Sequence, residues 1–236
     1  MARISASGIG EVLTGGKTAD SYILRKSLEG MGIKDDITTW PMRHGIINQY
    51  EAFKLLLKDK ARWHDEYTPI DERCGASADA IGEDMVWDVK CPYYTDTYLE
   101  QVEKLPKKYY YQVQMQMIAE KKDKGAVLLY LTSSEIDQDG NTIEYPYPLE
   151  DRCFIHQFPK DEEIQCRIME GVDKYYPVMM DWTKRLSEVK TMDRDDFFYL
   201  QLRGEGKFRK LKTASNINNA IDRAVRVGNE FYYLIN

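Results

Sequence analysis

The run GAVLLYLTS at 125–133 constrains this chain more than any other segment. It is apolar without alternation and has the length of a strand, so both of its faces need cover. That is the pattern of a central strand in a sheet flanked by helices. A second strand-like segment, MVWDVKCP at 85–92, behaves differently. Its apolar run breaks for Asp88 and Lys90, and residues two apart on a strand share a face. A carboxylate and an ammonium therefore stand side by side, with Val86 and Val89 supplying the apolar contacts, before Cys91-Pro92 ends the strand.

The other elements follow from period and punctuation. SASGIGEVL opens with serines suited to an N-cap and predicts a short helix, broken at Gly15-Gly16. ADSYILRKSLEG predicts a second helix stopped at Gly30. After Pro41, apolar residues at 46, 50, 53, 56 and 57 predict a third. Residues 69–91 are broken by Gly75 and Gly82 and predict antiparallel strands with a hairpin around Glu83-Asp84. KKYYYQVQMQMIAEKK predicts a helix entered after Pro106, with basic ends. A hairpin through Asp139-Gly140-Asn141, a strand in RCFIHQF and a long helix kinked at Pro177 come next. Residues 190–236, with a charged DRDD turn and a basic KFRKLK segment at 207–212, are expected to form a small C-terminal appendage to a main domain at 1–189.

Composition excludes some classes. No apolar stretch nears the roughly 20 residues that span a bilayer, and the opening residues lack the apolar core of a secretory signal, so a cytoplasmic location is expected. The four cysteines form no CxxC pair and the three histidines are widely spaced, so no zinc signature is present. Reduced thiols are the expectation, Cys91 among them as a structural one. The net charge of −6 argues against a general polycation, yet local basic stretches leave nucleic acid open as a partner.

The paired charges carry the chemistry. Asp79 lies nine residues before Asp88, across the expected hairpin. Two carboxylates meeting there suit Mg²⁺ or Mn²⁺, which take oxygen ligands and keep waters. A bound cation lowers the pKa of water and offsets phosphodiester charge, and Lys90 can stabilise charge developing on phosphorus. Taken alone, D-x8-D-x-K also fits a surface strand with an ion pair.

The combination ASADAIG…WDVKCP…YYQVQMQM resembles the YqaJ-type PD-(D/E)xK nucleases, the phage lambda exonuclease-like family. SADA at 77–80 matches its SPDG-like turn, DVKCP at 88–92 its acidic-x-Lys-Cys-Pro strand, and Gln112-Val113-Gln114 its QVQ helix. RISASGIGEVL is similar to the family's opening helix, and MRHGIINQYEAF to its G-x-x-x-E-x-x-A helix. The resemblance covers roughly residues 3–185. It implies an α/β restriction-endonuclease-like core, a central mixed sheet flanked by helices. It implies Asp79 and Asp88 as metal ligands with the Val89 carbonyl a third, Lys90 as the catalytic lysine, and Gln112 orienting that lysine or the attacking water. Ser7 and Ser77 match positions that contact phosphate. The implied activity is Mg²⁺-dependent, processive 5′→3′ hydrolysis of linear double-stranded DNA ends in phage-type recombination. The implied assembly is a trimer that works with a single-strand annealing protein.

Two departures stand out. Gly45 and Ala52 fall in register, but Gln49 occupies the glutamate position, and Glu51 lies about 200° further round the helix. A weaker metal site, a local shift that brings in Glu51, and an impaired site are the three readings. The relatives' arginine ahead of the opening helix has no counterpart, so Arg3, Lys17 and Arg25 are candidates for gripping a terminal 5′ phosphate. Lys107 and Lys108, with Lys104, are either a solvated face or phosphate contacts. Tyr109, Tyr110, Tyr111, Met115, Met117 and Ile118 are expected mostly in packing. An endonuclease or single-strand nuclease of the same core, or a DNA-binding module, are the alternatives. An iron–sulfur nuclease is disfavoured by the cysteine spacing.

Overall fold

The computed structural model describes residues 2–33, 39–136, 141–144, 146–202, 207–210 and 224–235. The chain begins β1 (Ile4–Ser5), a 3-10 turn (Ala6–Gly8), α1 (Ile9–Thr14), α2 (Gly16–Gly30) and α3 (Trp40–Leu56). Five short strands follow: β2 (Ala61–Trp63), β3 (Thr68–Pro69), β4 (Cys74–Ala76), β5 (Ala80–Gly82) and β6 (Met85–Lys90). Then come α4 (Thr95–Glu103), α5 (Lys107–Glu120), β7 (Lys124–Tyr130), β8 (Ser134–Ile136), β9 (Thr142–Glu144) and β10 (Cys153–Pro159). The chain closes with α6 (Glu162–Ser187), α7 (Arg194–Leu202), β11 (Lys207–Lys210), β12 (Ala224–Val227) and β13 (Glu230–Ile235). Two compact units result, one of Ser5–Gly10 and Asp36–Met169, the other of Met1–Ile4, Glu11–Asp35 and Glu170–Asn236.

The first unit is organised by a five-stranded sheet in the order β10-β7-β6-β5-β2. Strands β6 and β7 run parallel and the other pairs antiparallel, so the sheet is mixed. The unalternating run is β7, an interior strand between β10 and β6, and Ala126 to Tyr130 are each at most 1% exposed. Ala126, Leu128 and Tyr130 pack with Ala52 and Phe53 of α3 and with Leu57 just after it. Val127 and Leu129, pointing the other way, pack with Tyr98 of α4 and Val113 and Met117 of α5. Helix α5 comes close because position 125 is glycine, where a Cβ would lie 2.3 Å from Val113 Cγ1.

Several expectations are met and several are corrected. The hairpin at Glu83-Asp84 joins β5 to β6, and α5 starts directly after Pro106. Helix α4 is unanticipated, because TDTYLEQVE offers the core only Tyr98 and Val102. On α3, the expected apolar face holds for Phe53 and Leu56 but fails for Ile46 and Tyr50, which are 66% and 49% exposed. The N-terminal half of that helix turns Gly45 and Gln49 toward the backbone of residues 89–91 instead. Strands β8 and β9 pair as expected, while residues 139 and 140 of their turn lie outside the described residues. Methionines 115 and 117 are buried in packing.

In the second unit, α2 is tied to α6 by the Ser27 hydroxyl, which donates to the Ile23 and Met179 carbonyls. Helix α2 ends at Gly30 as read, but the left-handed residue is Gly32 (φ 79°). Pro177 lies inside α6. The DRDD segment is a helix start and no turn: Asp193 accepts the Asp195 N–H, and Asp195 and Asp196 sit in the first turn of α7, where the helix dipole favours acids. Strands β11, β13 and β12 form a small antiparallel sheet. Of KFRKLK, residues 211 and 212 lie outside the described residues. No disulfide joins the cysteines; Cys74 and Cys91 are buried and Cys166 is exposed. Among the described residues no helix is long and apolar enough to cross a membrane.

Candidate active site

Strand β6 explains why opposite charges share a face. Its Trp87 and Val89 side chains belong to the cluster under α3, and Val86 to the cluster under α5. Asp88 and Lys90 extend the Val86 face past the end of that second cluster. Helix α5 changes character in step with the strand. Val113 and Met117 cover the apolar part, and Gln112 and Gln116, one turn apart, stand over the charged part.

Asp88 is 1% exposed. Its Oδ1 accepts N–H bonds from Gln112 (2.7 Å) and Gln116 (3.0 Å). Its Oδ2 is buried and accepts no well-directed hydrogen bond, but the Lys90 ammonium lies 2.7 Å away. Burial opposes the charge on Lys90; Asp88 and Asp79 outweigh it and hold the Lys90 pKa above the usual lysine value. The Lys90 Nζ also stands 5.2 Å from the centre of the Tyr109 ring, a cation–π contact.

Asp79 reaches the same place from the turn before β5. Its carboxylate Oδ2 accepts the Val89 N–H at 2.6 Å, and its backbone is fixed by bonds to Trp87 and His64. Burial, with the Asp88 charge added, pushes its pKa up to about 7, against the opposing pull of Lys90 and the Val89 N–H. Gln49 approaches from α3 and donates to the Val89 carbonyl at 2.9 Å. Glu51 is not drawn in: it accepts the Tyr130 hydroxyl at 3.0 Å, and Arg152 stands beside that hydroxyl at 3.4 Å. A shift of Glu51 into the site is therefore not what this structure contains.

The donor set suits a hard divalent cation. Asp79 and Asp88 offer buried carboxylate oxygens, Val89 a carbonyl, and Oδ2 of Asp88 lacks a directed donor. It is a lean set, since among the described residues no three of His, Cys, Asp and Glu gather to hold a metal.

Asp79, Asp88, Val89, Lys90, Gln112 and Gln49, each picked from the sequence, are thus linked within one unit. Ser77 joins through its backbone, its carbonyl accepting from Gln116 at 2.9 Å, while its side chain is exposed. Ser7 lies in the opening turn and shares a hydroxyl contact with Ser5 at 3.1 Å. That segment abuts the start of α5, where a Cβ on Gly10 would be 3.0 Å from Lys108 Cβ. Lys107 and Lys108 are exposed there, and Lys108 covers the Tyr109 ring at 4.9 Å. Arg3, Lys17 and Arg25 belong to the other unit, where Arg25 is paired with Glu11 at 2.8 Å. Cys91 is buried and its thiol pushed up to about 12 by burial, which fits a structural role. Gln116 is the residue the sequence reading passed over; its signal was the i, i+4 spacing from Gln112.

The order of the mixed sheet and the helices that flank it give a fold shared with solved alkaline and phage-related exonucleases. Two structures of the alkaline exonuclease LHK-Exo from Laribacter hongkongensis, one in complex with dAMP, match at TM-score 0.63 with 19% and 18% identity. Each match covers 78% of this chain and 91% of the other. A phage related exonuclease from Haemophilus somnus 129PT matches at TM-score 0.63 and 17% identity, over 76% of this chain and 95% of its own. No protein-family model matches the chain, and neither does any curated protein sequence. The resemblance carried by the motifs is therefore matched at the level of fold.

Proposed function

We propose that this chain is a Mg²⁺-dependent deoxyribonuclease, a processive 5′→3′ exonuclease acting on ends of linear double-stranded DNA in phage-type recombination. The observation that carries the reading is the buried Asp88–Lys90 pair beside Asp79, under two glutamines, in the fold of the exonucleases. Asp79, Asp88 and the Val89 carbonyl are the groups to hold Mg²⁺, with Mn²⁺ able to substitute. The cation supplies an activated water and charge compensation for the phosphodiester.

The chain's own residues do the rest. Asp88, held by Gln112 and Gln116, and Asp79, held by the Val89 N–H, are fixed before substrate arrives. Lys90 keeps its proton, since both carboxylates stabilise it. Its ammonium faces the charge that grows on the phosphoryl oxygens as water attacks phosphorus and the P–O bond breaks. Ser7, Ser77, Lys107 and Lys108 are assigned to the DNA backbone, and the terminal 5′ phosphate to a basic residue among Arg3, Lys17 and Arg25. Residues 1–189 are assigned to the nuclease domain and 190–236 to a C-terminal appendage. A homotrimer and a single-strand annealing partner complete the proposal.

The test is digestion of linear duplex with 5′ phosphates beside a closed circle, in Mg²⁺ and in EDTA, with Lys90→Ala in parallel. Mg²⁺-dependent loss of the linear DNA alone, abolished by the substitution, supports the reading. Cutting of the circle moves it to an endonuclease.

A second reading has one observation behind it. The Gln49 amide sits on the Val89 carbonyl where the family pattern has a carboxylate, which fits a DNA-binding module with an impaired site. Gln49→Glu separates the two. A large gain in cleavage marks impairment, and unchanged cleavage marks the amide as native to the chemistry.

A further inference from the structure

One oxygen of Asp88 takes both glutamine bonds. Oδ1 accepts from Gln112 at 2.7 Å and from Gln116 at 3.0 Å. The same Gln116 nitrogen donates to the Ser77 carbonyl at 2.9 Å. Both of its partners can only accept, so the NH₂ end of Gln116 is the end that must face them. Gln116 is 0% exposed, and its Oε1 is buried with no hydrogen-bond partner. The side chain thus keeps its donors on Asp88 and Ser77 while leaving an acceptor unsatisfied, an arrangement that ordinary packing would not favour.

We propose that Gln116, together with Gln112, sets the cation selectivity of the Asp79–Asp88 site by keeping Oδ1 of Asp88 occupied, so that Asp88 offers a cation only Oδ2. The inference rests on reading those carboxylates as a cation site. Ca²⁺ takes about six to eight oxygens and accepts a carboxylate through both of its oxygens, whereas Mg²⁺ demands octahedral geometry and retains waters. A carboxylate with one oxygen already doubly bonded handicaps Ca²⁺ most. Oδ2 itself faces the Lys90 ammonium at 2.7 Å, and α3 adds no free carboxylate: Gln49 turns its NH₂ to the Val89 carbonyl, and Glu51 is engaged with Tyr130. Gln116 is thus a positioning residue, acting through Asp88.

The experiment is calorimetric titration of the full chain with Ca²⁺ and, separately, with Mn²⁺. It compares wild type, Gln116→Met, Gln112→Met and the double variant, with circular dichroism to verify folding. Methionine keeps the length and helix preference of glutamine and removes the donors. Gln116→Met is expected to raise Ca²⁺ affinity relative to Mn²⁺ about tenfold, the equivalent of one hydrogen bond to a charged group, and the double variant more. If Gln116→Met fails to fold, Gln112→Met, at a partly exposed position, carries the test with the same expected direction. A generally loosened site would lower both affinities by the same factor; an unchanged ratio overturns the inference and leaves the cation site standing. A wild type that binds neither ion overturns both.

Discussion

Two Lys–Asp pairs of the same length lie at opposite ends of β6. At the hairpin end Lys124 meets Asp84 at 2.7 Å, with side chains 57% and 64% exposed. At the other end Lys90 meets Asp88 at 2.7 Å, with side chains 19% and 2% exposed. Distance alone does not tell them apart. Water competes for the first pair and salt screens it, so it contributes little. The second is largely shielded from water: its charges are satisfied mainly by each other, by two glutamines and by whatever enters the site. Proteins do not keep such a pair for stability, since an apolar pair of the same volume would serve as well or better.

The largest contrast lies in activity. Lys90→Met is expected to lower cleavage of linear duplex DNA by at least about a hundredfold, and Lys124→Met to leave the rate unchanged, both measured where circular dichroism shows folded protein. The same variants separate in stability. Losing Lys90 strands two buried carboxylates and is expected to cost about 3 kcal/mol in urea unfolding, while Lys124→Met leaves the midpoint where it was. Equal midpoints would mean that water reaches the site and that the contrast is overdrawn.

A smaller effect comes from Asp79. Its folded pKa, about 7, is raised above the ordinary 3.8, so the native state binds the extra proton. The stability this group contributes is present in full below the ordinary value and is lost as pH climbs through about 7. In EDTA the melting temperature should fall between about pH 4 and pH 7, and Asp79→Asn should flatten that slope. A wild-type slope that survives Asp79→Asn unchanged would assign the titration elsewhere.

What could be read in advance followed from short-range rules. The apolar run of β7, the hairpin into β6 and the shared face of Asp88 and Lys90 need only strand period and turn residues. The α3 stripe misled because Ile46 and Tyr50 keep helical period with Phe53 yet face outward. At that level of the helix the inward positions are Gly45 and Gln49, and only the tertiary structure reveals that they meet backbone. Helix α4 escaped because its apolar residues are only Tyr98, Leu99 and Val102, too weak a stripe over nine positions. Gln112 and Gln116 could be seen to share a face, but their common partner on a strand 24 and 28 residues earlier could not. Nor could the engagement of Glu51 by Tyr130, a contact over 79 residues.

The missing side chain at Gly125 has a reach beyond its own neighbourhood. Val113 fills the space a methyl group would need, and Val113 sits one residue from Gln112 and three from Gln116. A substituent at 125 would lift α5 off the sheet like a shim under a hinge, and the amides would rise with it. The bonds of 2.7 and 3.0 Å to Asp88 would lengthen although no residue that makes them had changed. A variant library scored for DNA cleavage would then mark position 125 as intolerant and tempt a reader to place it in the catalytic centre. Its contribution is only the clearance at which helix and strand are machined together.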